Sequence, residues 1–347
     1  MKIFVTGGAG FIGSHIAEFY AEKGHDVVVF DNLSRARLLR KSINQINYNW
    51  DYLKNFQNVE LLKGDIINLH EIERASKGAD FIFHTAAQTA VTTSIQDPVT
   101  DFQSNCIGTF NVLESARRND IKTLIYCSTN KVYGENVNKI EVVEDKSRYV
   151  FSPKYKHGVP EDFPVDLCEH TPYGCSKLAG DLYAQDYGGL YGIKTGVFRM
   201  SCIYGPRQMG VEDQGWLTWF TIASLLGKEI TIYGDGKQVR DVLYVKDLVS
   251  LFDKFLSSNL KNVVLNAGGG TENTLSLLEL IGKLEKFIGK DINKKYSDWR
   301  VSDQKVFISD IRKAENLLDW KPKVSPEDGV KCVFDWVSKN TSLFNSL

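Results

Sequence analysis

Lys2-Ile3-Phe4-Val5-Thr6-Gly7-Gly8-Ala9-Gly10-Phe11-Ile12-Gly13 decides the fold of this 347-residue chain. Its opening is a short apolar run suited to a strand buried on both faces, and a helical pattern follows the glycines as far as Lys23. The glycines at 7, 10 and 13 are spaced GxxGxxG. Each serves a physical purpose, in turn a tight turn, approach of the backbone to a pyrophosphate, and close packing of helix on strand. The first-turn amides, around Phe11 and Ile12, are then available to phosphates. A second strand, Asp26-Val27-Val28-Val29-Phe30, ends in Asp31-Asn32, so an acid arrives about 20 residues after the loop. A carboxylate there accepts from both ribose hydroxyls and repels a 2′-phosphate. NAD is therefore the predicted cofactor.

Outward from that unit, strand-like and helix-like segments alternate through the first two hundred residues. Strands are expected at 59–62, 81–83, 123–127 and 195–198, with helices near 69–77, 98–118 and 173–191. This is the pattern of an α/β protein with a Rossmann-type, doubly wound parallel sheet. Beyond Pro206 the alternation loosens into an aromatic stretch at 216–220 and helices near 246–257, 275–288 and 326–338. The expected organisation is a dinucleotide-binding domain over 1–200, rejoined by a strand at 263–266, and a smaller α/β substrate-binding lobe over 201–340.

Composition excludes several classes of function. A net charge of −1 gives no reason to expect a nucleic-acid or membrane partner, and no run of 18 apolar residues exists. The six cysteines show neither CxxC pairs nor a disulfide framework, so no metal site is predicted and reduced thiols in a cytoplasm are the default. No charged-then-apolar leader precedes the first strand, and secretion is not expected.

The chemistry is concentrated in loops at strand ends, where open α/β sheets bind ligands. Gly64-Asp65-Ile66 follows the third strand and suits an adenine amino group. His84-Thr85-Ala86-Ala87-Gln88 follows the fourth, its small residues letting a dinucleotide lie against the backbone. Ser128-Thr129-Asn130-Lys131-Val132-Tyr133-Gly134 follows the fifth and brings a hydroxyl toward Tyr173. Taken singly, Asp65 and Thr129 equally suit turn and capping roles. Tyr173-Gly174-Cys175-Ser176-Lys177 puts a phenol and an ammonium on one helix face. The expectation is that Lys177 lowers the Tyr173 pKa toward neutrality and makes it a usable base. The pair alone is a weak signal; its place after the nucleotide loop gives it force.

TGGAGFIG at 6–13, H-x-A-A-Q at 84–88, S-T-x-x-V-Y-G at 128–134, Y-x-x-x-K at 173–177 and R-D-V-x-Y-V-x-D at 240–247 together resemble the extended short-chain dehydrogenase/reductase family. That family comprises nucleotide-sugar epimerases and dehydratases, and the resemblance runs over nearly the whole chain. It implies Tyr173 as acid/base, Lys177 as its modulator and ribose anchor, and Thr129 as the third member. It places NAD against Gly7, Gly10, Phe11, Ile12, Gly13, Asp31, Asn32, Asp65, Ile66, Ala86 and Ala87, and substrate against Gln88, Asn130, Lys131, Arg207, Gln208 and Arg240. It further implies a dimer or tetramer.

The dehydratases of the family generally carry Asp-Glu after the threonine; Asn130-Lys131 stands there and disfavours elimination. Lys131 then suits a keto intermediate or a phosphate, or is a solvated loop lysine. Residues 128–134, 170–177, 204–208, 213–216 and 236–243 are similar to the branch acting at C2 of CDP-linked dideoxyhexoses, which implies a CDP-sugar substrate. Three readings stay open beside it, a UDP-sugar 4-epimerase, a keto-sugar reductase that consumes NAD(P)H, and a non-catalytic dinucleotide sensor. Arg240 and Arg207 are the diphosphate candidates, or surface ion pairs. Cys202 stands where many members have asparagine, and the long interval from Gly134 to Tyr173 is either a substrate wall or a surface excursion.

Overall fold

The computed structural model describes residues 1–35 and 47–344. Contacts divide them into two compact units. The first unit comprises Met1–Val132, Thr171–Arg199 and Val249–Leu265; the second comprises Tyr133–His170, Met200–Leu248 and Asn266 onward.

Unit one is built on β1 (Lys2–Thr6), β2 (Asp26–Asp31), β3 (Val59–Lys63), β4 (Phe81–His84), β5 (Thr123–Thr129), β8 (Lys194–Met200) and β12 (Asn262–Ala267). They form one seven-stranded parallel sheet in the order β12-β8-β5-β4-β1-β2-β3. The order reverses at β1, between β2 and β4, which is the switch point where such sheets bind dinucleotides. Strand sequences such as Ile3-Phe4-Val5 and Val27-Val28-Val29 are apolar on both faces because helices cover both. On one face Phe4, Val28, Ile82, Leu124 and Val197 pack with Val112, Leu113 and Ala184 from the covering helices. On the other, Phe252 lies against Phe83 and Phe198, with ring centroids 6.0 and 4.8 Å apart.

The helix expected over 98–118 is interrupted. Pro98–Phe102 and Gly108–Arg118 are joined by a π turn, Gln103–Ile107, that carries Asn105 into the interior. Such turns insert one residue into the helical ladder and re-aim a side chain, a shift that hydrophobic period does not reveal.

Unit two contains a small sheet, β13 (Thr274–Ser276), β11 (Val239–Tyr244) and β15 (Val306–Phe307), with β9 (Cys202–Tyr204) also paired to β11. Beside it β10 (Ile230–Tyr233) and β14 (Lys294–Ser297) pair in parallel. Helices Trp216–Leu225, Leu277–Ile288 and Pro326–Lys339 bury Leu217, Ile222, Leu280, Leu284, Val330 and Val333 in one apolar cluster.

The interval after Gly134 folds as part of unit two. It forms a hairpin, β6 (Val142–Glu144) with β7 (Tyr149–Phe151). Arg148 Nε donates to Glu279 Oε1 at 2.7 Å, and the Tyr149 hydroxyl donates to Asp235 Oδ2 at 2.5 Å. Further along, Asn266 Nδ2 donates to the Val159 carbonyl at 2.8 Å, and its Oδ1 accepts from the Tyr133 hydroxyl at 2.7 Å. These bonds make the interval a wall of its unit and not a loose excursion.

Candidate active site

The glycine loop leaves β1 with Gly7 at φ +67°, a conformation that side chains rarely adopt. A Cβ on Gly7 would lie 2.6 Å from the Ala86 backbone, and one on Gly13 would lie 2.4 Å from the Gly7 carbonyl oxygen. The glycines thus let the loop nest against the Ala86-Ala87 segment. Gly10 caps the helix Phe11–Glu22 with no side-chain acceptor, so the Phe11, Ile12 and Gly13 amides end the helix without an intrahelical partner. Asp31 faces this loop: its Oδ2 accepts from Ala9 N at 3.0 Å and its Oδ1 from Leu33 N at 2.8 Å. Burial raises its pKa, and the two amides oppose that rise. Asn32 Nδ2 donates to Asp65 Oδ2 at 2.9 Å, so the ends of β2 and β3 meet. Asp65 also receives the Ile67 amide at 3.0 Å, while the Ile66 carbonyl accepts from Asn111 at 3.0 Å.

Each of these features suits a dinucleotide. A helix N-terminus lies beyond a loop without side chains, and each carboxylate oxygen of Asp31 keeps a lone pair for a ribose hydroxyl. The residues present fit NAD.

Thr129 ends β5, and Tyr173 opens the helix Pro172–Tyr191, where Thr171 caps by accepting from Gly174 N at 3.3 Å. The Thr129 hydroxyl stands near the Tyr173 phenol and favours its ionised form. Thr129 also receives the Lys131 amide at 3.3 Å, and lies 3.3 Å from Asn130 Oδ1. Lys177 is buried, with its Nζ 4.2 Å from the centroid of the Tyr126 ring, a cation–π contact.

The electrostatics correct one expectation. The Tyr173 phenol is pushed up to about 12, not down: burial is the main cause, Thr129 opposes it, and Asp101 and Cys127 reinforce it. Burial likewise pulls the Lys177 ammonium down to about 8, against Cys127, Asp181 and Asp101, which hold the proton on. Desolvation penalises both charged forms, and its size depends on the packed fold, which the i, i+4 spacing does not encode.

Behind the pair, Asp181 is fully buried. It accepts from the Ser128 hydroxyl at 2.6 Å, Arg199 Nε at 3.0 Å and Gln185 Nε2 at 2.6 Å, tying β5 and β8 to the Tyr173 helix.

Two of the expected substrate residues are turned to internal work. Gln88 Nε2 donates to the Ala90 carbonyl at 2.9 Å and to Asp101 Oδ1 at 3.0 Å, and its Oε1 accepts from the Ala90 amide. Gln208 Nε2 donates to the Ile203 carbonyl at 3.1 Å, and its Oε1 accepts from the Thr218 hydroxyl. Both side chains hold loops in shape. In unit two Arg240, buried on β11, donates from Nη2 to Asp303 Oδ1 at 2.5 Å. Arg207 is buried at φ +65° and lies near Tyr244. Asp303 and Arg300 were not legible as site residues; Arg300 lies 4.0 Å from the Tyr233 ring centroid and pairs with Asp213 at 3.0 Å. With Glu135, Asn138 and Trp299 they line a cavity of about 380 Å³. Trp216 Nε1 reaches Cys202 Sγ at 3.4 Å, so the thiol faces a neighbouring indole.

The profile of the NAD dependent epimerase/dehydratase family matches residues 3–268. This chain belongs to that family. The NAD dependent epimerase/dehydratase family is catalytic, and NAD is the cofactor of this member too. Among relatives, the CDP-paratose 2-epimerase of Salmonella typhi is 43% identical over 97% of this chain and 99% of its own. A UDP-glucose 4-epimerase of Thermotoga maritima, solved with UDP-glucose, superposes with a TM-score of 0.80 at 32% identity, covering 98% of this chain and 99% of that one. A UDP-glucuronic acid 4-epimerase of Bacillus cereus, solved with UDP-glucuronic acid and NAD, gives 0.81 at 28% identity, covering 98% and 100%. Among the described residues no helix is long and apolar enough to cross a membrane.

Proposed function

We propose that this chain interconverts CDP-paratose and CDP-tyvelose by inverting C2 of the 3,6-dideoxyhexose. The observation that carries this reading is the 43% identity, end to end, with the CDP-paratose 2-epimerase of Salmonella typhi. Asn130-Lys131 supports it by withholding the acid pair that elimination needs.

Bound NAD supplies the oxidising and reducing equivalents, returned without net change. Tyr173 takes the proton of the C2 hydroxyl and later gives one back, while Thr129 holds the oxygen of the 2-keto sugar. Lys177 keeps a positive charge beside the phenolate and anchors the ribose. Asn130 and Lys131 contact the sugar. Arg240 and Arg207 hold the diphosphate, for which a guanidinium offers two parallel donors. The sugar turns about the diphosphate between oxidation and reduction, so its two faces meet the same site in succession. In this reading the NAD contacts lie in 1–200 and the main substrate contacts in 201–340. Ile66, Ala86 and Ala87 lie along the dinucleotide beside Asn32 and Asp65.

A homo-oligomer and a cytoplasmic setting belong to the same proposal. Val99, Phe102, Phe110, Leu182, Tyr183 and Leu190 leave an exposed apolar face on the helices of 98–118 and 172–191. Among the described residues no disulfide joins any of the cysteines.

The test is NMR of the purified protein with CDP-paratose in deuterated water and no added reductant. The expected result is CDP-tyvelose without deuterium at C2. Turnover of UDP-galactose instead would move the reaction to C4, the second reading, which the superposition on UDP-sugar 4-epimerases favours. NAD binding without turnover of either sugar would favour a sensor.

A further inference from the structure

Asp101 lies in no motif, yet the fold buries it beside the reacting pair. It is 1% exposed, on the short helix Pro98–Phe102 that Asp97 caps. The π turn that follows swings Asn105 inward. Asn105 Nδ2 reaches Asp101 Oδ1 at 3.1 Å, the Gln88 carbonyl at 3.0 Å and Ser176 Oγ at 3.1 Å. Ser176 Oγ in turn donates to the Tyr173 carbonyl at 3.1 Å. Gln88 Nε2 supplies the second donor to Asp101 Oδ1, at 3.0 Å. The carboxylate is thus fixed to the helical turn that separates Tyr173 from Lys177. Its other oxygen, Oδ2, is buried with no hydrogen-bond partner among the described residues.

A buried carboxylate with one oxygen unfilled costs stability, so hydrogen bonding does not explain it. Its charge does. Asp181, the other acid near Lys177, is balanced by the Arg199 guanidinium at 3.0 Å. Asp101 is held by the neutral amides of Gln88 and Asn105 and by no guanidinium. Its field therefore falls on the titratable groups facing it: Lys177 and Tyr173 from one helix and Cys106 from the π turn. The helix Val91–Gln96, packed alongside, carries no charged side chain.

We propose that Asp101 is a positioning residue for the Tyr173–Lys177 pair, a buried carboxylate that, through Asn105 and Ser176, fixes the helical turn between them and sets the charge they face. The proposal rests on reading those two residues as the reacting pair.

The experiment titrates the full chain, labelled with ¹³C at tyrosine Cζ and lysine Cε, by NMR and without substrate. Loss of signals in Tyr173→Phe and Lys177→Met assigns the two resonances. In Asp101→Asn both transitions move to lower pH, by about one unit, and Asp101→Glu brings them back toward the parent. In turnover of CDP-paratose the pH profile of kcat moves the same way while KM stays unchanged. Coincident transitions in Asp101→Asn and the parent, with cooperative unfolding intact, would overturn the proposal. Where the asparagine variant does not fold, the smaller neutral Asp101→Ser takes the same readout. Since the titration uses no sugar, failure here is distinct from failure of the sugar assignment, which shows as absent turnover in the parent.

Discussion

Tyr173 sits in a pocket that resists its ionisation, with the Thr129 hydroxyl near its phenol and a buried Lys177 one turn along. A phenol held up to about 12 is a strong base once ionised. Removing it should therefore cost turnover and little else. Tyr173→Phe is expected to lower kcat by about 10²- to 10⁴-fold, with NAD still bound, as followed by stopped-flow turnover and by cofactor released on denaturation. Loss of NAD in proportion to activity would instead make the tyrosine a cofactor ligand first. The spacing of Tyr173, Lys177 and Thr129 was legible because a helix face and a strand end are local facts. The direction of the Tyr173 shift was not, since desolvation is a sum over residues distant in sequence. The partners of Gln88 and Gln208 were hidden for a related reason. An amide in a motif loop looks available until the partners inside the fold, Asp101 and Thr218, are known.

At the scale of elements, the glycine loop and the strand–helix alternation were readable because period and punctuation carry them. The π turn and the β6–β7 hairpin were not: one is a single inserted residue, and the other is held by distant partners such as Glu279. The loop also yields a sharp expectation. Gly7→Ala adds a methyl at φ +67° and drives it to 2.6 Å from the Ala86 backbone, which cannot step aside as a side chain would. The loop must shift, and with it the amides offered to the pyrophosphate. NAD affinity measured by calorimetry should fall by tenfold or more, about 1.4 kcal/mol, whereas Gly189→Ala, with ordinary helical backbone and nothing near its Cβ, should leave it unchanged.

For the whole molecule, acid sensitivity is set deep in the sheet. His84 bridges Thr6 Oγ1 at 2.8 Å and Thr109 Oγ1 at 2.9 Å. Burial, then Lys177, pulls its pKa down to about 3 from an ordinary 6.5. Between those values the unfolded chain binds a proton that the folded one refuses. Stability from this group is complete above pH 6.5, declines as pH falls, and is lost near pH 3. Urea unfolding at pH 5 should show a loss of about 2 kcal/mol relative to pH 7, and His84→Asn should lessen that loss. An equal loss in the variant would place the sensitivity elsewhere.

The edge strand β12 and the ring of Phe252 reach unit one only after about half of unit two has been threaded. During synthesis, therefore, β8 emerges from the ribosome with an open edge, and Phe198 waits uncovered for some fifty residues until Phe252 and Phe255 arrive. The nascent chain carries an adhesive strand edge for several seconds at elongation rates of about 5–20 residues per second. Its yield in the cell then depends on what shields that edge before translation ends.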